Sequence, residues 1–133
     1  MDANIFLNYW FDEFSKSAEA YYAQQLFERT IGCEFLFVIT DITLDELSAK
    51  SNLSMDKIKD AWLSEFIKMK KIIIEIPTIQ DLKNAARMTR ELRIPKKDAI
   101  HAAFCLRNKL PIVTRDKHFQ EIDGLSVFLP EEL

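Results

Sequence analysis

An α/β fold, in three layers with helices on both sides of a central parallel sheet, is what this 133-residue sequence predicts. Three observations predict it. Short runs rich in β-branched residues are apolar at consecutive positions, the pattern of strands buried on both faces. Longer stretches with helical periodicity lie between them, and such alternation favours right-handed crossovers within a parallel sheet. Carboxylates stand just after the runs or on the helices that follow, where sheets of this kind bind ligands.

Taken in order, residues 15–30 read as a helix and 35–40 (FLFVIT) as a strand. Residues 43–50 and 54–70 read as helices. In the second of these, Ile58, Ala61, Trp62, Phe66 and Met69 follow helical spacing, with Glu65 as the one polar interruption. Ser54 is placed to cap its start. The run 72–76 (IIIEI) is a second strand, closed by Pro77. Residues 78–93 form a helix opened by Thr78, with Asp81 three residues on as in a capping box. A further helix spans 97–109 after Pro95. Strands follow at 112–114, after Pro111, and at 125–128, before Pro130.

Length and composition fit one domain over residues 1–133, long enough to bury a core without disulfides or a structural metal. There is no apolar stretch of ~20 residues, so no membrane span is expected. No basic-then-apolar leader stands at the start, so the expected location is the cytoplasm, with Cys33 and Cys105 as free thiols. Glycine occurs only at positions 32 and 124, which removes the glycine-rich phosphate loops. The net charge of −3 hides an asymmetry: residues 1–66 carry −7 and residues 67–133 carry +4. A basic face of that kind can meet a polyanion, although solvated helix surfaces give the same imbalance.

Four acids are candidates for chemistry. Asp2 precedes Ile5-Phe6-Leu7, Glu46 lies one turn past Thr43, Asp98 opens the helix after Pro95, and Asp116 follows Thr114. Each has a plain structural alternative. Asp98 suits any helix start, Asp116 any turn, Glu46 any solvated helix face, and Asp2 is uninformative alone. Their joint placement is the signal.

Three segments, MDANIFLNYWF (1–11), VITDITLDEL (38–47) and residues 96–133 (KKDAIHAAFCLRNKLPIVTRDKHFQEIDGLSVFLPEEL), resemble the PIN domain, in particular the VapC-type toxins of toxin–antitoxin pairs. The resemblance implies a PIN-like parallel sheet of five strands and a metal-dependent endoribonuclease site built from acids. Matched by motif, those acids are Asp2, Glu46, Asp98 and Asp116, with Asp2, Asp98 and Asp116 as metal ligands. Asn4 and Thr114 support them from behind. Asp41 and Asp45 compete for the second role; Glu46 is preferred because Leu47 completes the family's Glu-Leu pair, and Asp45 should then point elsewhere. Clustered carboxylates repel, and a hard dication, Mg²⁺ or Mn²⁺, offsets that repulsion. The family runs several apolar residues into the first acid, whereas here only Met1 precedes Asp2, so the first strand reads as truncated at the N-terminus.

The resemblance further implies an RNA substrate, a small VapB-type antitoxin and a homodimer. Arg87, Arg90, Lys96, Lys97 and Arg115 are the candidate RNA contacts; Arg93 and a group at Lys68, Lys70 and Lys71 are weaker ones. His101 is expected to face helix packing and His118 a polar surface turn. Tyr9, Trp10, Phe11 and Phe14 suit core packing, with a groove for a partner helix as the rival reading. Competing functions are an RNA-processing nuclease outside any toxin pair, and an inactive PIN-like interaction module. A receiver-type phosphoacceptor fits poorly, because the mid-chain strands end in Thr40-Asp41 and Ile76-Pro77 and no Lys directly follows a late strand.

Overall fold

The computed structural model describes residues 1–11 and 17–133. Phe14 and the first two residues of the helix expected at 15–30 lie outside the described residues.

The chain starts with a helix that periodicity does not reveal, α1 (Ala3–Trp10). Ala3, Ile5, Phe6, Leu7 and Asn8 are buried, and eight residues are too few for a helical period to stand out in the sequence. α2 (Ser17–Ile31) packs on α1. β1 (Phe37–Thr40) then runs directly into α3 (Asp41–Ser51). β2 (Ile72–Glu75) pairs with β1 in parallel, Phe37 opposite Ile72 and Thr40 opposite Glu75. α6 (Ile79–Leu92) and α7 (Lys96–Asn108) pack together and lead to β3 (Ile112–Val113), which pairs in parallel with β4 (Val127–Phe128). Short 3₁₀ turns follow β3 at Lys117–Glu121 and β4 at Pro130–Glu132.

Among the described residues the strands form two parallel pairs, not one ladder of about five. The reason lies between β1 and β3. Residues 1 and 2 occupy that space: the Met1 ammonium donates to the Val38 carbonyl at 2.8 Å, and the Asp2 N–H donates to the Val113 carbonyl at 3.1 Å. Two residues bridge the pairs but are too few to build a strand, because Ala3 already begins α1. Burial holds the Met1 ammonium pKa below its usual value, against the opposing pull of Cys105 and Asp2.

Apolar clusters cover both faces of β1. Phe37 and Ile39 belong to one, with α1, α2, α3 and Phe66; Val38 packs against the other, built from α6, α7, β3 and Phe119. Alternate strand residues point to opposite faces, so helices flank the strands on two sides, an α/β arrangement. The expected aromatic core is present for the described residues: Tyr9 stacks on Phe27 at 4.1 Å, and Trp10 lies 5.0 Å from Trp62.

The helix expected over 54–70 is three pieces. α4 (Met55–Ile58), capped by Ser54, passes through a π turn at Lys59–Leu63 into α5 (Ser64–Lys68). The wider turn adds a residue and shifts the phase. Ile58, Leu63 and Phe66 are therefore buried, whereas Ala61 and Met69 are exposed.

Thr78 and Asp81 form the expected capping box on α6. Asp81 is wholly buried and also takes a bidentate pair from Arg107 on α7, at 2.7 and 2.9 Å. That pair ties the helix carrying Asp98 to its neighbour. With glycine scarce, the left-handed joints after α3, α6 and α7 fall on Asn52, Arg93 and Lys109. No helix among the described residues is long and apolar enough to cross a membrane.

Candidate metal centre

The four acids reach one end of the strands by four different routes. Asp2 sits between β1 and β3 and caps α1; its Oδ1 accepts from the Ala3 N–H at 2.6 Å. Glu46 comes from the second turn of α3, the helix that β1 feeds directly. Asp98 is in the first turn of α7, and Asp116 follows β3 and caps the 3₁₀ turn after it. A helix start tolerates a negative charge, which is why Asp98 can be kept there.

Thr114 joins these routes. Its hydroxyl donates to Asp2 Oδ2 at 2.5 Å and accepts from Asn4 Nδ2 at 3.3 Å and from the Asp116 N–H at 3.0 Å. Asn4 Nδ2 also donates to Asp2 Oδ2 at 2.9 Å. Asp2, though next to the start of the chain, is 9 % exposed and fixed by three hydrogen bonds.

Two clusters of potential ligands result. Asp2, Glu46 and His101 each offer an atom within 4.8 Å of the others, and so do Asp98, Asp116 and His118. The two are electrostatically continuous. Burial raises the Asp98 carboxyl pKa above the usual value; Asp116 pushes it further up, as do Asp2 and Glu46, and the His118 hydrogen bond pulls it down. A carboxyl repelled by three others in a partly buried cleft fits a hard dication, which oxygen donors hold well.

Among the described residues, neither Asp41 nor Asp45 joins a cluster. Asp45 turns outward to Lys97 at 2.6 Å, as expected for a residue ~100° from Glu46 around the helix. Among the cations, Lys97 is thus engaged by Asp45, and Arg115 is held bidentately by Glu131 at 3.0 and 2.9 Å. Arg87, Arg90 and Lys96 are exposed and make no ion pair among the described residues.

Both histidines sit where the sequence reading puts them, but each also reaches the acids. His101 does lie in the helix packing, 5 % exposed, yet its Nε2 faces Glu46 Oε2 at 3.5 Å. His118 is on the surface, but its Nδ1 lies 3.1 Å from Asp116 and 3.3 Å from Asp98. The signal was their spacing: one helical turn past Asp98, and two residues past Asp116.

A helix-flanked parallel arrangement thus gathers acids at one end, in two groups that could hold a dication. The family model of the PIN domain matches residues 1–125, and the chain belongs to that family. PIN domains are in general metal-dependent nucleases, and a nuclease-class hydrolase is the activity that membership supports. A comparison with curated proteins finds none that matches.

Proposed function

We propose that this chain is a Mg²⁺- or Mn²⁺-dependent endoribonuclease, acting as the toxin of a VapBC-type pair. The observation that carries the nuclease reading is the convergence of Asp2, Glu46, Asp98 and Asp116 from four separate elements, close enough that burial first, and then the charges of the other three, raise the Asp98 carboxyl pKa. When bound, the dication would polarise the scissile phosphate and activate a water. The protein's own residues do the rest. Asp2, Asp98 and Asp116 supply ligand oxygens, Thr114 and Asn4 fix the Asp2 carboxylate, and Glu46 stands where a water proton can be taken up. Arg87, Arg90 and Lys96 offer exposed charge to phosphates, while Lys97 and Arg115 must first leave Asp45 and Glu131.

The partners in this reading are RNA in the cytoplasm, a small VapB-type antitoxin and a second copy of the chain. Exposed Ile76, just after β2, and Ile79 and Leu82, at the start of α6, offer apolar surface for protein contact. The test is cleavage of labelled RNA with Mn²⁺ or Mg²⁺. The expected result is loss of cleavage with EDTA and in Asp98→Asn. Cleavage that survives both would overturn the reading. Growth arrest on expression, relieved by the product of an adjacent small gene, tests the toxin role separately.

A further inference from the structure

The inner cluster contains a nitrogen that the carboxylate reading leaves unused. His101 is 5 % exposed, and its Nε2 is fully buried with no hydrogen-bond partner among the described residues. A buried polar atom without a partner is costly and calls for a reason. The ring is held from the other side, where Nδ1 lies 3.3 Å from Thr40 Oγ1 at the end of β1. A proton on Nδ1, donated to that hydroxyl, leaves the Nε2 lone pair facing Glu46 Oε2 at 3.5 Å, acceptor against acceptor. The opposite tautomer does little better, since 3.5 Å is too long for a good N–H···O bond.

A cation between them resolves the contact. Two ligand atoms, each about 2.1 Å from one ion, stand roughly 3.4 Å apart along a tetrahedral edge. The third member, Asp2, lies within the same 4.8 Å group. Among the described residues Asp2 Oδ1 accepts only from Ala3 N, which leaves it a lone pair. Histidines that ligate metals usually donate their other ring N–H to a neighbouring acceptor, the role Thr40 can fill.

We propose that Asp2, Glu46 and His101 form a nitrogen-containing site for a first-row transition dication, distinct in ligand chemistry from the Asp98–Asp116 side of the cleft. The proposal rests on the nuclease reading for its shared ligand Asp2, and adds to it a preference. Imidazole selects transition ions over Mg²⁺, which keeps to oxygen donors. Thr40 is the positioning residue of this site.

The test is pulsed electron paramagnetic resonance on the full chain loaded with Mn²⁺ in a tenfold excess of Mg²⁺. The expected result is a hyperfine coupling from a directly bound imidazole nitrogen. It persists in His118→Ala, whose side chain is exposed, and is lost in His101→Gln. Thr40→Val keeps the fold but lowers Mn²⁺ affinity by ~10-fold or more. A coupling that disappears in His118→Ala assigns the nitrogen to the outer cluster and overturns the proposal. Mn²⁺ bound with no nitrogen coupling also overturns it, and leaves the all-oxygen nuclease site standing. If no Mn²⁺ binds, both readings fail together. The spectrum of the unmodified protein and His118→Ala decide the matter even if His101→Gln fails to fold.

Discussion

At the residue scale, Thr114 carries more than its size suggests. One hydroxyl serves Asp2, Asn4 and the Asp116 backbone. Thr114→Val keeps the shape but leaves those partners unmatched. It should weaken Mn²⁺ binding ~10–100-fold by calorimetry, while Thr114→Ser stays near the parent. Asp98→Asn separates function from stability. RNA cleavage should fall by ~100-fold or more, yet the metal-free protein should melt higher, because a carboxyl that burial and three like charges disfavour has been neutralised. A lower melting temperature would mean the repulsion is absent. The acids themselves were legible as residue types at strand ends, and the motif resemblance chose among them. The roles of the two histidines were not, because helical spacing places His101 on the face of Asp98 without saying that β1 and α3 close over it. Only the tertiary approach of Thr40 and Glu46 does that.

Elements were readable where local chemistry decides them. The α6 start was written in Thr78 and Asp81, whose capping box is present. The buried pair that Asp81 makes with Arg107 was not, since it joins residues 26 apart. That pair has a pH signature. Arg107, then burial in opposition, then Thr78 leave the Asp81 pKa below its ordinary 3.8. A depressed folded-state pKa means the unfolded chain binds more protons, so the stabilisation is full above ~pH 5 and fades as pH falls through the folded value. Arg107→Met should cost ~3 kcal/mol at pH 7 in urea titrations, by stranding a buried carboxylate. It should also flatten the loss of stability on acidification. The helix over 54–70 was located but not its π turn, because one inserted residue leaves composition unchanged and only shifts the phase. α1 escaped altogether, because eight residues are shorter than the window over which helical periodicity shows. Lys109 ends α7 at φ 53°, a conformation that side chains resist. Lys109→Gly should raise the melting temperature by about 4 °C, and no rise would show that Lys109 makes compensating contacts.

For the whole molecule, the alternation of strand and helix correctly announced an α/β arrangement. It overstated the sheet, because a run of apolar residues reveals a buried strand but not how many backbone partners it finds. Residues 1 and 2 connect the pairs by one bond on each side. The charge asymmetry also belongs to this scale. Arg87 and Arg90 stand on α6, just before the turn into the helix that bears Asp98. If they hold phosphates, replacing both with Ser should weaken RNA binding and reduce the slope of log affinity against log salt by about 1.4. Turnover at saturating RNA should be unchanged. An unaltered slope would remove these residues from the interface.

The chain has two tryptophans, and they are neighbours: Trp10 at the end of α1 and Trp62 in the π turn, ring centres 5.0 Å apart. At that separation their indole transitions couple, so ultraviolet emission and circular dichroism report one junction instead of an average over the protein. Asp2, a proposed ligand, caps the opposite end of that helix. Any ion that tugs on the carboxylate has a rigid two-turn lever leading to an optical probe. Occupancy of the cleft can thus be followed by light, without a label and without a substrate.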